Sequence, residues 1–128
     1  MARRAATIGI SLAGLPFIVP HVVEDFAEGI AERVGLSTGA GAFLLGGYLA
    51  LQAWGLVLVG RGRRAGWIIT FCVSLVWALG AVADHGPAIW AGGFRSGAAS
   101  VVWVAGLVLT QSTAAALAWR GWRAETAR

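Results

Sequence analysis

Residues 65–83 read AGWIITFCVSLVWALGAVA, a run of 19 residues without a charged side chain. A helix of that length is about 28 Å long, close to the roughly 30 Å thickness of the hydrocarbon core of a bilayer. Three further apolar runs of similar length lie at residues 5–23, 42–59 and 98–119. The sequence therefore predicts four membrane-spanning helices.

The composition supports the same class of protein. Of the 128 residues, 58% are hydrophobic and 12% are charged, against roughly 25% charged in an ordinary soluble domain. A soluble chain this small could not bury so much apolar surface. We therefore predict an all-α integral membrane protein of the cell membrane, a multi-pass chain whose residues 1–128 form a single four-helix transmembrane domain in contact with the lipid bilayer.

The basic residues predict an orientation. All ten are arginines, and in an up-down bundle only Arg33 and Arg95 fall on one side of the membrane. The other eight fall on the opposite side: Arg3, Arg4, Arg61, Arg63, Arg64, Arg120, Arg123 and Arg128. Short loops rich in arginine face the cytoplasm, so both termini are predicted inside (N-in/C-in). Because the bases lie in short clusters between apolar runs, the net charge of +4 does not predict nucleic-acid binding.

Local signals predict how the helices begin and end. From Val22 the pattern becomes amphipathic, which indicates a short amphipathic extension after helix 1. Pro16 should kink the first span, and the glycine-rich stretch 35–41 should form a turn before the second. The stretch Asp84-His85-Gly86-Pro87 should terminate the third span, since the residue before a proline disfavours the helix. Residues 120–128 should be frayed.

A cluster of titratable residues follows the first span. His21, Glu24, Asp25 and Glu28 are spaced so that their side chains share one side of a helix. All four are predicted on the non-cytoplasmic side.

The end of the third span brings a second set of polar residues to that side. Alternation of the spans predicts that Asp84 and His85 emerge beside the first cluster, with Arg95 as the base placed to neutralise the acids. The candidate ligands or metal ligands are six residues, with Arg95 in a supporting role: His21, Glu24, Asp25, Glu28, Asp84 and His85. No catalytic residue is assigned.

Three chemical roles fit this cluster, and a fourth interpretation gives it none. Imidazole and carboxylate groups together suit a divalent metal such as zinc, iron or manganese. Two histidines on separate helices could instead hold haem b, the weaker alternative, and clustered carboxylates could relay protons. Otherwise the residues form a solvated polar rim.

Two other features lie within the spans. Gln52 and Gln111 are polar residues at membrane depth, predicted to hydrogen-bond across the second and fourth spans or to line a polar pocket. Ala42, Gly46 and Ala50 form a ridge of small residues that lets another helix approach closely, in a homodimer or against a membrane-protein partner.

Three functions stay open from the sequence. The first is a ligand- or metal-binding or accessory membrane protein, and the second is a membrane enzyme using the cluster for metal or acid–base chemistry. The third is a small dimeric proton-coupled transporter. The chain resembles small multidrug transporters only in length and number of spans. His21 and Glu24 resemble, with a different spacing, the His/Glu pair of sterol-isomerase-type four-helix proteins, and no function is carried over from either resemblance.

Overall fold

The computed structural model describes residues 1–91 and 97–126, which form α-helices and contain no strand. Their bounds are α1 (Ala2–Ala13), α2 (Leu15–Ala27), α3 (Ile30–Arg33), α4 (Thr38–Gly60), α5 (Arg64–Trp90) and α6 (Ala98–Thr126). Four segments are long and apolar enough to cross a membrane, namely Ala2–Ala27, Thr38–Gly60, Arg64–Trp90 and Ala98–Thr126. The prediction of an all-α chain with four such helices is confirmed.

The outer surface of these helices is apolar. Many large hydrophobic side chains along them are exposed, among them Phe43 at 81% exposure and Leu109 at 70%. No more than 39% of the most apolar window of any span is buried inside the protein. Exposed apolar surface on this scale is costly in water and matches a lipid environment.

Helix α6 packs along α5 and also along α1 and α2, whereas α4 packs mainly on α5. One core cluster joins Ile18, Ala81, Val104 and Leu107, and a second joins Val59, Trp67 and Ala118. The ridge residues Ala42, Gly46 and Ala50 all lie exposed on α4. That ridge therefore makes no close helix contact within the described part of the chain.

The first span is interrupted at Gly14, two residues before Pro16. Pro16 has no N–H to donate to the preceding turn, so the break falls on its N-terminal side. Gly14 also permits close packing, because a Cβ there would overlap the Gln111 amide nitrogen and lie 3.0 Å from Thr110 Oγ1.

The turn predicted at residues 35–41 is present but confined to residues 34–37, and the predicted start of the second span and end of the third are wrong. Helix α4 already begins at Thr38, because the Ser37 side chain caps it by accepting a hydrogen bond from the Ala40 N–H at 3.2 Å. Helix α5 continues through Pro87 to Trp90, and the Pro87 carbonyl accepts from the Ala91 N–H at 3.0 Å. Proline removes only its own N–H bond, so the final turn persists.

Helix α6 likewise extends beyond the predicted end at Trp119. The Thr126 hydroxyl donates back to the Trp122 and Arg123 carbonyls, both at 3.0 Å. Arg4 of α1 lies 3.8 Å from Glu125, so this last turn of α6 lies beside the start of α1.

Two tryptophans lie in different environments. Trp67 is only 2% exposed and lies against Gly121, whereas Trp54 is 51% exposed. Periodicity does not distinguish a lipid-facing ring from a helix-facing one, because both environments are apolar.

Candidate metal centre

His21 and Asp25 lie one turn apart on α2 and point towards the other helices. His21 is 4% exposed and the Asp25 side chain 14% exposed. Val23, on the other side of the same helix, is 63% exposed. His21 and Asp25 therefore turn inward and are not part of a solvated rim, whereas Glu32, further along the chain, is exposed.

His85 reaches the same place from α5. Because that helix continues past its predicted end, His85 lies one turn beyond the buried Ala81 and on the same face. The His21 and His85 ring centroids are 4.7 Å apart, at an interplanar angle of 65°. The two histidines predicted to meet are thus in contact.

Asp25 lies between the two imidazoles. His21 Nε2 is 3.3 Å from Asp25 Oδ2, and His85 Nε2 is 3.3 Å from Asp25 Oδ1. Both distances exceed the usual N–H···O hydrogen-bond distance of about 2.9 Å. Within the described residues, the buried atoms His21 Nδ1, Asp25 Oδ1 and His85 Nε2 have no hydrogen-bond partner. Buried polar atoms left in this state are costly, and an ion bound by Asp25 Oδ1 and His85 Nε2 would satisfy two of the three.

The spacing of the donors suits a small divalent cation. His21, Asp25 and His85 can each offer one ligand atom, and these atoms lie within 4.8 Å of one another. Donors about 2.0–2.1 Å from a tetrahedral zinc ion lie roughly 3.3–3.4 Å apart. His21 Nε2 lies 3.3 Å from Asp25 Oδ2 and His85 Nε2 lies 3.3 Å from Asp25 Oδ1, so each nitrogen–oxygen pair, taken by itself, matches that edge. Three protein donors also leave one position open, as in catalytic zinc sites.

The same geometry does not suit haem b. Axial histidines lie on opposite sides of the macrocycle. The rings of His21 and His85 touch each other edge to face at a centroid distance of 4.7 Å, which leaves no room for a macrocycle between them.

Glu24 does not join the three donors. Its Oε1 accepts a hydrogen bond from Ser100 Oγ at 2.7 Å, and Ser100, in the first turn of α6, is 3% exposed. Glu24 therefore ties α2 to α6. Ser100 was not predicted as a site residue from the sequence. Its position at the start of the fourth span, on the same predicted side as Glu24, indicated that the two could lie close together.

The remaining charged candidates lie at the edge of the cluster. Asp84 Oδ2 is 3.5 Å from His85 Nε2 and 3.8 Å from Arg33, with 40% of its side chain exposed. Arg33 also donates to the Glu28 carbonyl at 3.4 Å, and the Glu28 side chain is half-buried but not one of the three converging donors. Arg33 thus has the neutralising position predicted for Arg95, which lies outside the described residues.

Gln52 and Gln111 are buried on α4 and α6 but do not form a hydrogen-bonded pair. Gln52 Oε1 accepts from Trp77 Nε1 at 2.9 Å, which links α4 to α5. Gln111 is fully buried, and neither of its amide atoms has a hydrogen-bond partner among the described residues. The observed hydrogen bond of Gln52 therefore joins the second span to an indole of the third, and not to the fourth span as predicted.

These two environments give opposite expectations for the same substitution. We expect Gln111→Met to raise the free energy of unfolding by about 1 kcal/mol, because it removes an unsatisfied buried amide while keeping the volume. Gln52→Met should lower it by about 1–3 kcal/mol, because the Trp77 N–H loses its acceptor. Unfolding in detergent with rising SDS, followed by circular dichroism, measures both. An equal loss in the two variants would contradict the assignment of Gln111 as unpaired.

Comparisons with protein-family models, curated proteins and solved structures give no match. The fold defines an all-helical chain with four helices long and apolar enough to span a membrane. Within it, two histidines and an aspartate from two of those helices form one inward-facing cluster.

Proposed function

We propose that this chain is a multi-pass membrane protein that binds one divalent transition-metal ion, best fitted by zinc, through His21, Asp25 and His85. The observation that carries the proposal is the convergence of the three donors, with buried atoms that lack partners in the described part of the chain. Two neutral imidazoles and one carboxylate are donors that zinc accepts. The site would occupy the non-cytoplasmic end of an up-down bundle.

The proposed orientation rests on the charges at the two ends. Arg4, Gly62 and Glu125 approach one another at one end, where seven of the described arginines lie close by in sequence. His21, Asp25, Asp84 and His85 gather at the other. By the positive-inside rule the arginine-rich end is cytoplasmic.

Metal analysis of the protein purified in detergent tests the site directly. We expect one zinc per chain after equilibration with zinc and removal of the excess. Zinc at about 100 times its dissociation constant should stabilise the fold by about 2.7 kcal/mol, since it binds only the folded state. A zinc content near zero, with no effect of zinc on unfolding, would refute the proposal.

The orientation can be measured on the same protein in sealed vesicles. A chelator that cannot cross the membrane should strip zinc from right-side-out vesicles and leave it in inverted ones. The reverse pattern would place the cluster on the cytoplasmic side.

A membrane enzyme is the second candidate, and one observation favours it. A cavity of about 470 Å³ opens beside the cluster and is lined in part by His21 and Asp25. A metal held by three protein donors with a fourth position open can polarise a bound substrate. A molecule in this cavity would lie within reach of that position.

A further inference from the structure

The cavity beside the metal cluster lies between α2, α3, α4 and α5. Its polar end is formed by His21, Asp25 and Asp84. The rest of its wall is formed by apolar and aromatic side chains together with Gly80, and includes Leu44, Leu45, Tyr48, Val76 and Trp77. The volume of about 470 Å³ lies within the usual range for small-molecule sites, roughly 300–1,000 Å³.

The two wall residues that carry polar atoms use them elsewhere. The Tyr48 hydroxyl donates to the Val73 carbonyl at 2.7 Å, and the Trp77 N–H donates to Gln52 Oε1 at 2.9 Å. Their rings are therefore held in place and offer the cavity mainly apolar surface. A ligand lying against this wall gains from burying hydrocarbon and has few hydrogen bonds to make there.

The cavity is open towards the lipid-facing surface. Leu44 and Val76 both line it, and each is 57% exposed. An apolar molecule dissolved in the bilayer could therefore enter sideways between α4 and α5 without crossing water.

The polar end selects the head of the occupant, and this step rests on the proposed metal site. A divalent ion bound to Asp25 and two neutral imidazoles keeps one net positive charge and an open coordination position. Arg33 and Asp84 nearby oppose each other, Glu24 accepts a hydrogen bond from Ser100, and Glu28 adds a negative charge that acts on Asp25. Because the open position lies at bonding distance from the ion, the charge of the ion dominates there. An anionic oxygen donor complements the site in charge and in ligand type.

We propose that the cavity binds a single-chain amphiphile with an anionic oxygen head, namely a long-chain carboxylate, whose head takes the open position on the metal. The chain then lies along the wall formed by Tyr48, Val76 and Trp77. The metal supplies the charge that holds the head, and the cavity wall supplies the burial that holds the tail.

The structure offers a substitution that fills this cavity without touching a metal ligand. Gly80 lines it, and a Cβ placed on Gly80 meets nothing within 4 Å. Gly80→Phe should therefore occupy the cavity while the helices stay packed. Gly9 is equally open and exposed and lies outside the cavity, so Gly9→Phe is the matched control.

The test uses palmitate that carries a photoreactive diazirine in mid-chain, added to the full chain in zwitterionic nanodiscs. We expect the zinc-loaded protein to be labelled on α4 and α5 at the cavity wall. Labelling should fall at least tenfold in Gly80→Phe, with the zinc content unchanged, and should persist in Gly9→Phe. If Gly80→Phe does not retain zinc, Val76→Trp narrows the same cavity from its exposed side and should give the same loss.

Competition separates the head from the tail. Unlabelled palmitate should compete, whereas its methyl ester, which lacks the anionic oxygen, and acetate, which lacks the tail, should not. Stripping zinc from the wild-type protein should also abolish labelling. Equal competition by the methyl ester, or labelling unaffected by Gly80→Phe and Val76→Trp, would overturn the proposal. A wild-type protein that holds zinc but shows no cavity labelling refutes this inference alone, whereas one that holds no zinc refutes the metal site itself.

Discussion

Replacing His85 with alanine is expected to weaken zinc binding by more than about 100-fold. Changing a group that only supports a metal ligand typically costs about 10–100-fold in affinity, and His85 is proposed as a ligand itself. Its Nε2 is 3.3 Å from Asp25 Oδ1 and supplies the only proposed donor that α5 contributes. Competition with a zinc-binding dye in detergent measures the dissociation constant of each variant.

Two other variants make this measurement specific. Asp25→Asn keeps the shape of the side chain but removes the anionic oxygen, so it should lose zinc affinity to a similar extent. Glu32→Gln is the control, because Glu32 is fully exposed, accepts a hydrogen bond from Thr38 and lies outside the cluster. A His85→Ala protein that binds zinc within threefold of the wild type would show that His85 is not a ligand.

Gly66→Ala should have the largest effect on stability. A Cβ at this position would lie 2.6 Å from the Leu58 carbonyl carbon and 2.7 Å from Leu58 Cβ, and it would also overlap the Val59 backbone nitrogen. Backbone atoms cannot rotate away, so α4 and α5 would have to separate at the end where they join. We expect a loss of at least about 2 kcal/mol in the free energy of unfolding.

The matched control lies on the same helix and should change stability in the opposite direction. At Gly80 a Cβ meets nothing within 4 Å, so Gly80→Ala only exchanges glycine for a better helix former, a gain of about 0.5–1 kcal/mol. The midpoint of SDS-induced unfolding measures both variants. Equal midpoints for Gly66→Ala and Gly80→Ala would show that the approach of α4 to α5 is looser than described.

Much of the fold could be predicted from the sequence, because the length of an apolar run is a direct physical requirement for crossing a bilayer. The four spans follow from that requirement alone. The helix ends were less predictable, since they depend on single contacts such as the Ser37 cap at the start of α4. Pro87 shows the same limit, because a proline near a helix end weakens one bond without ending the helix.

The meeting of His21 and His85 could be predicted, whereas the exact set of donors could not. Alternating spans bring the end of the first and the end of the third to the same side. Which side chains then converge depends on how each helix is rotated about its axis, and this is set by packing. His21 and Asp25 turn inward, whereas Glu24, adjacent in sequence, turns to Ser100 on α6.

The direction of the amphipathic segment illustrates a difference between water and lipid. In a soluble protein the apolar face of a helix turns inward, so Val23 would be buried and the acids exposed. Here Val23 is 63% exposed and His21 is 4% exposed. In a lipid environment, the apolar side of a helix can face outward towards the lipid, and the polar side finds its partners within the protein.

Contacts between the two ends of the chain determine when the protein can assemble. The first span packs on α6, through pairs as distant in sequence as Arg4 with Glu125 and Glu24 with Ser100. During synthesis the earlier helices are made before α6. The first span therefore remains without its main neighbour until α6 has been made, and a ribosome that stalls before Ala98 leaves it without that neighbour.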